Sequence, residues 1–192
     1  ELQAFPSLYG FQMLLSETAR KIDGFTELTP YAGGLTRQQY VALIQRMIVG
    51  DHDPAEVVLM EIDPHHQKTW PDFAVTELAW GVRPVDLREI ERRGSKLYLT
   101  RDGKTTQIKR IYNRVIPDEL ERKGISWPFA GSDALGVEWV GGPDWFFRIS
   151  KFSIPWFKHP WVPETHYLSD VTTLPEPREE WLLKPLYSFA GG

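Results

Sequence analysis

The sequence predicts an α/β fold, in which helices flank a mostly parallel β-sheet. Residues 56–62 (EVVLMEI) form a largely apolar run, which is typical of a strand buried on both faces of a parallel sheet. A helical segment at 66–80, closed by Gly81, follows this run, and a second short strand is predicted at 82–87. Strand, helix and strand in this order make a βαβ unit, so we expect a Rossmann-like sheet.

Two helices are predicted before this unit. Apolar residues recur at helical spacing over 11–22 and again over 36–49. Thr36 is suited to cap the second helix, because its hydroxyl can accept a hydrogen bond from a free backbone amide of the first turn. Both helices are expected to cover the parallel sheet.

A β-hairpin insertion is predicted after the βαβ unit. Two segments with strand character, 96–100 and 105–109, flank the dipeptide Asp102-Gly103, which is a strong signal for a two-residue hairpin turn. We expect the second arm to continue into a strand at 111–115.

The remaining segments are shorter or irregular. A helix is predicted over 117–123, a strand over 137–140, and a helix over 143–157 that Pro155 interrupts. The stretch 159–178 is rich in Pro and Thr, so an extended and irregular backbone is expected there.

Composition excludes several classes of partner. The 192 residues carry a net charge of −4, which argues against a nucleic-acid partner held by general electrostatics. Neither a signal peptide nor an apolar run of the roughly 20 residues that span a bilayer is visible, so no membrane partner is expected. The chain has no cysteine, which fits a reducing compartment, and the expected location is cytoplasmic.

The segment from Trp181 to Gly192 suggests nucleotide chemistry. It reads as a short apolar strand bearing Lys184-Pro185, followed by a small-residue loop that ends in Gly191-Gly192. Backbone amides of such a loop can approach phosphate oxygens closely, and a lysine adds positive charge. The alternative is an ordinary buried strand and turn, with the lysine reaching the surface.

Four motifs in order extend this observation. Ser150-Lys151 is followed by Val162-Pro163-Glu164-Thr165, then by Leu183-Lys184-Pro185, and then by the loop from Ser188 to Gly192. With these motifs in this order and spacing, the chain resembles ligases of the ATP-grasp superfamily. The resemblance is to glutathionylspermidine-synthase-like enzymes or to related carboxylate–amine ligases.

The resemblance implies roles for individual residues. Lys184 would contact the ATP phosphates or the adenine edge, and Lys151 would be a second lysine that faces the phosphates. Ser188, Gly191 and Gly192 would belong to a flexible lid over the β- and γ-phosphates. ATP and Mg²⁺ are the implied cofactors, with the metal ligands expected downstream of the glycine loop.

The resemblance also implies a domain organisation and an activity. Residues 1–170 would form the pre-ATP-grasp α/β domain, and 171–192 a linker with the first strand of an incomplete ATP-grasp domain. The chain is therefore expected to be part of a longer ATP-dependent carboxylate–amine or –thiol ligase, inactive alone, with small-molecule substrates. A non-catalytic small-ligand or protein-interaction domain is the alternative.

A substrate pocket is predicted from residues at the ends of two strands. Ligands bind outside the carboxyl ends of strands in open α/β sheets, and Arg114 follows a predicted strand there. Its guanidinium suits a carboxylate or phosphate, and Asp63 and His65 follow the neighbouring strand. The alternatives are a surface Arg114 paired with Asp118 or Glu119, and an Asp63 that caps the next helix.

Two further alternatives concern other side chains of this chain. A metal site at Asp63, His65 and His66 is disfavoured against simple helix capping, and no metal site is predicted. A band of aromatic residues would more often form a core or an interdomain contact than a stacking platform for sugars or bases. Its members are Trp139, Trp145, Phe146, Phe147, Phe152, Trp156, Phe157 and Trp161.

Overall fold

A computed structural model describes residues 6–22, 24–129 and 134–187 of the chain. They form an α/β structure with a parallel and an antiparallel sheet, as predicted. The helices are α1 (Tyr9–Ala19), α2 (Arg37–Ile48), α3 (Trp70–Trp80), α4 (Pro117–Lys123) and α5 (Trp145–Arg148). The strands are β1 (Val57–Glu61), β2 (Arg83–Asp86), β3 (Ile90–Arg93), β4 (Lys96–Arg101), β5 (Lys104–Ile108), β6 (Arg110–Asn113) and β7 (Glu138–Val140).

The described chain divides into two compact units, the first of residues 7–142 and the second of residues 143–187 together with Pro6. The predicted boundary near residue 170 lies inside the second unit, and an ATP-grasp domain that begins at 171 stays a prediction. No helix of the described residues is long and apolar enough to cross a membrane.

The parallel sheet has four strands in the order β2-β1-β6-β7. All three pairings are parallel, and β1 lies between β2 and β6. Every residue of β1 is buried, which confirms the prediction for 56–62 of a strand covered on both faces.

The antiparallel sheet has three strands in the order β3-β4-β5. Asp102 and Gly103, with φ of 52° and 75°, make the tight turn between β4 and β5, so the hairpin prediction is confirmed. The expectation that the second arm continues into 111–115 is wrong. The chain leaves this sheet after Ile108, and β6 pairs with β1 instead, because its apolar residues fill the parallel sheet.

Helices cover the two faces of the parallel sheet differently. One core holds Val57 and Leu59 together with buried residues of α2 and α3. The other core holds Val58 and Met60 together with the antiparallel sheet and with α4. Therefore α3, which follows β1, and α4, which follows β6, pack on opposite faces.

The predicted cap of α2 and the predicted end of α3 are confirmed, whereas α1 and α3 begin at Tyr9 and Trp70 and not at the predicted residues 11 and 66. Thr36 and Gln39 form a reciprocal capping box at the start of α2. At its other end, Arg110 Nε and Nη2 donate to the carbonyls of Ile48 and Met47 at 3.0 and 2.9 Å. Gly81 closes α3 in the left-handed conformation, with φ of 72°.

The second unit contains little regular structure. The predicted helix over 143–157 is reduced to the four residues of α5 and a 3-10 helix at Lys151–Trp156. Pro155 has no amide hydrogen for an α-helical bond, which accounts for part of this difference. The predicted strand around Lys184 is also wrong, because residues 181–187 have no strand partner among the described residues.

Candidate functional site

The candidate site in residues 7–142 is the carboxyl edge of the parallel sheet between β1 and β6. These strands are neighbours, and the connections that leave them turn to opposite faces of the sheet. A crevice forms where such connections diverge, and ligands of open α/β sheets bind there. The predicted site residues Asp63, His65 and Arg114 all follow these two strands.

Three ionisable residues form a row across this edge. Glu61 is paired in register with Asp86 of β2. On the other side of β1, Met60 is paired with Asn113 of β6, and the Arg114 amide donates to the Met60 carbonyl at 2.9 Å. The register therefore places Asp86, Glu61 and Arg114 side by side.

Arg114 is buried and binds a partner that the sequence analysis did not identify. Its Nη1 donates to Asp72 Oδ2 at 2.8 Å, and its guanidinium carbon lies 5.3 Å from the centre of the Phe73 ring. The predicted alternative partners, Asp118 and Glu119, are wrong. Asp72 lies in the first turn of α3, and the ion pair joins this turn to the residue that follows β6.

Several polar atoms around Arg114 lack a partner within the described residues. Arg114 Nε, Tyr112 Oη and Asn113 Nδ2 are buried and make no hydrogen bond there. Burial raises the pKa of the Tyr112 hydroxyl, while the nearby Arg114 guanidinium acts in the opposite direction. The Tyr9 ring lies 6.4 Å from the Tyr112 ring, so the start of α1 covers this cluster.

Glu61 is the most perturbed acid of the edge. Only 4% of its surface is exposed, and burial raises its pKa to about 8. Its Oε1 accepts a hydrogen bond from the Ile62 amide at 2.8 Å. A carboxyl group of this kind is mostly protonated at neutral pH and can exchange its proton near pH 8.

Asp86 is the ionised acid of the row. Burial acts to raise its pKa, but hydrogen bonds from Arg88 and from the Asp63 amide outweigh burial and hold the pKa below its usual value. Arg88 Nε donates at 2.7 Å, and the Asp63 amide donates at 2.7 Å. Neighbouring acids at one edge thus carry different charges.

Asp63 adopts a conformation that is rare for a residue with a side chain, with φ of 47°. It does not cap a helix, so that expectation is wrong. Helix α3 begins only at Trp70, and the Asp63 carboxylate instead lies 2.8 Å from His66 Nδ1. His65 is exposed, with its ring 4.5 Å from that of Trp70.

These groups do not make a metal site. No group of three His, Asp or Glu side chains that could hold a metal occurs in residues 6–22, 24–129 and 134–187.

In the second unit, the two lysines of the resemblance stand in different environments. Lys151 is buried, with 5% of its surface exposed, whereas Lys184 is exposed. The Ser150 hydroxyl donates to the Leu186 carbonyl at 2.9 Å, which brings their two segments together. That both lysines contact one triphosphate stays a prediction. Ser188, Gly191 and Gly192 lie outside the described residues.

The residues of the aromatic band are divided between the two units. Trp139 packs against Phe129 in the first unit, and Phe147 and Phe152 contact Tyr187 in the second. Trp161 is 90% exposed. The predicted core role is therefore confirmed for part of the band.

Comparison of the chain with protein-family models, with curated proteins and with solved structures found no match in any of the three. Sequence reasoning missed Glu61 and Asp72 as site residues. For Glu61 a signal existed, since an acid ends an otherwise apolar buried strand; Asp72 carried no signal of its own.

Proposed function

We propose that the chain is part of an ATP-dependent carboxylate–amine or carboxylate–thiol ligase of the ATP-grasp type. In this reaction a carboxylate oxygen attacks the γ-phosphorus of ATP, and ADP leaves. An amine or thiol then attacks the acyl phosphate, and inorganic phosphate leaves. Residues 7–142 would be the Rossmann-like domain that binds small substrates, and the expected location is cytoplasmic.

One observation carries the proposal. The hydrogen bond from Ser150 to the Leu186 carbonyl joins two segments that are far apart in the sequence. These segments carry Lys151 and Lys184, the two lysines that the resemblance assigns to ATP. Contacts of the Tyr187 ring with Phe147 and Phe152, at 5.7 and 5.1 Å between ring centres, strengthen the same association.

The carboxyl edge of the parallel sheet supports the substrate side of the proposal. It offers an acid that carries a proton at neutral pH, Glu61, and buried hydrogen-bond donors on Tyr112 and Arg114. A ligase of this type needs groups that orient a carboxylate and groups that move the proton of the nucleophile. Arg114, Asp63 and His65 remain the proposed substrate-binding residues.

Mg²⁺, when bound, would neutralise charge on the ATP phosphates. The part of the chain that the structure describes has no cluster that could hold a metal. As the resemblance implies, the Mg²⁺ ligands are proposed to lie downstream of the glycine loop.

Calorimetric titration of the intact protein with ATP and Mg²⁺ tests the proposal. Lys184→Ala should weaken ATP binding by about 1–3 kcal/mol, the size of a lost charge-assisted hydrogen bond. Lys158→Ala is the matched control, because Lys158 is an exposed lysine of the same unit outside the four motifs. Equal affinity in the wild type and both variants would contradict the role of Lys184.

The alternative function is a non-catalytic ligand or protein-interaction domain. Exposed apolar side chains in the second unit favour it, since Trp161, Leu182 and Leu183 are 90%, 82% and 81% exposed. The same calorimetry distinguishes the two functions: a wild-type protein that binds no ATP would support the alternative.

A further inference from the structure

Glu61 is the unpaired member of the row across the carboxyl edge. Asp86 binds Arg88, and Arg114 binds Asp72. Glu61 makes no ion pair with any described residue, and its carboxyl group accepts a single hydrogen bond, from the Ile62 amide. A buried carboxyl without a cationic partner is costly to keep, so its presence needs a reason.

A purely structural role does not require an acid at this position. The Ile62 amide needs only an oxygen acceptor, which glutamine would supply with the same length and shape. Glutamate differs from glutamine in one respect that matters here, namely that it can take up and release a proton. Its place at the end of β1 puts that capacity at the edge where ligands of such sheets bind.

We propose that Glu61 is the proton acceptor for the nucleophile in the ligation step, an inference that rests on the proposed function. The nitrogen of the amine attacks the acyl carbon, and a carbon–nitrogen bond forms. The carbon–oxygen bond to the phosphate breaks, and inorganic phosphate leaves with the electron pair. The proton lost by the nitrogen goes to the second oxygen of Glu61, Oε2.

The surroundings of Glu61 suit this role. Burial raises its pKa to about 8, while Arg114 beyond β6 and Lys123 of α4 lower it and Glu119 of α4 raises it. A base of this strength is partly ionised at neutral pH, yet strong enough to accept a proton from an attacking amine.

The experiment compares two nucleophiles in the intact protein. Acyl phosphate formation is followed as ATP-dependent hydroxamate production from a panel of dicarboxylates and amino acids, with hydroxylamine as the nucleophile. Hydroxylamine is largely unprotonated at neutral pH, so its attack needs less help from a base. Ligation is then followed with a panel of primary amines and the best carboxylate.

Glu61→Gln should lower amine ligation by at least about 100-fold, the usual contribution of a general base. Hydroxamate production should fall by less than about threefold. Glu56→Gln is the matched control: Glu56 lies at the opposite end of β1, where it pairs with Lys109 at 2.8 Å, and both reactions should stay at the wild-type level.

The outcomes separate this inference from the function on which it rests. If the wild type and Glu61→Gln both produce hydroxamate, and amine ligation by the variant is within about threefold of the wild type, only the role of Glu61 is overturned. A wild-type protein that produces no hydroxamate from any carboxylate overturns the ligase and this inference together.

The pH profile gives a readout that a structural role would not change. Amine ligation by the wild type should rise with pH and level off above about 8, where Glu61 is ionised. The Glu61→Gln variant should lose this limb of the profile. If the variant keeps the wild-type profile, the rise of ligation with pH comes from deprotonation of the amine itself, and the proposal is overturned.

Discussion

Arg114 and Asp72 form a buried ion pair that joins the end of β6 to the first turn of α3, with 2.8 Å between Nη1 and Oδ2. The other oxygen of Asp72 accepts a hydrogen bond from the Phe11 amide of α1 at 3.0 Å. One carboxylate thus connects two helices to the edge of the sheet where ligand binding is proposed. The pair is predicted to be essential for stability.

Asp72→Asn should lower the free energy of unfolding by about 3–5 kcal/mol, because it leaves the Arg114 charge buried without compensation. Asparagine still offers an oxygen to the Phe11 amide, so the loss reports mainly on the ion pair. Urea denaturation measures it. The exposed pair of Glu91 and Arg93 is the control, and Glu91→Gln should cost less than about 1 kcal/mol. Losses of equal size would contradict the importance of burial.

The pH dependence of stability should change when Glu61 is replaced. Its pKa of about 8 in the folded chain lies above the unfolded value of about 4.3. The folded chain therefore holds a proton that the unfolded chain releases between these two values. The stabilisation is complete below the unfolded value, falls by up to about 1.4 kcal/mol per pH unit as pH rises, and is lost above pH 8.

Glu61→Gln should remove this slope, so that the variant gains stability over the wild type as pH rises from about 5 to 8. Urea denaturation at several pH values measures the difference. Glu56→Gln should retain the wild-type slope. Parallel curves for the wild type and Glu61→Gln would show that Glu61 titrates normally.

Asp63 is expected to tolerate glycine better than alanine. Its φ of 47° is costly for a residue with a Cβ and not for glycine, so Asp63→Gly should be more stable than Asp63→Ala by about 1 kcal/mol. The opposite order is expected at Asp118 in α4, where alanine favours the helix by about 1 kcal/mol. Thermal denaturation of the four variants measures both orders, and the same order at both positions would refute the explanation.

Gly103→Ala should destabilise the protein by about 1–2 kcal/mol, because alanine disfavours the left-handed backbone conformation at this position. Its φ is 75°, yet a Cβ at this position would meet no atom within 4 Å. Gly136 has no such conformation and ordinary contacts, so Gly136→Ala should be neutral or slightly stabilising. Equal effects in thermal denaturation would contradict a left-handed turn.

Local signals in the sequence predicted most of the first unit. The Thr36 cap, the Asp102-Gly103 turn and the apolar run of β1 each depend on a few adjacent residues, and each is confirmed. The helix predicted over 143–157 does not form as one element, because Pro155 and packing oppose the helical periodicity of its apolar residues. Around Lys184 an apolar run alone did not produce a strand, because a strand needs a partner.

The site was harder to predict than the fold. The carboxyl edge was identified from the order of the elements, and the register of β1 and β6 brings Arg114 to it. The partner of Arg114 was not predictable, because Asp72 meets it only after α3 folds over the sheet. Asp63 was misread as a cap, since its left-handed backbone is invisible in the sequence.

The division into two sheets also has a consequence for the order of folding. The turn at Asp102 and Gly103 closes β4 against β5 locally, a process of microseconds for a hairpin. The pairing of β1 with β6 must instead close a loop that contains α3, β2 and the whole antiparallel sheet. Pulse-labelling hydrogen exchange should therefore protect Leu99 and Thr106 before Met60 and Tyr112, so that the carboxyl edge of the parallel sheet would be assembled last.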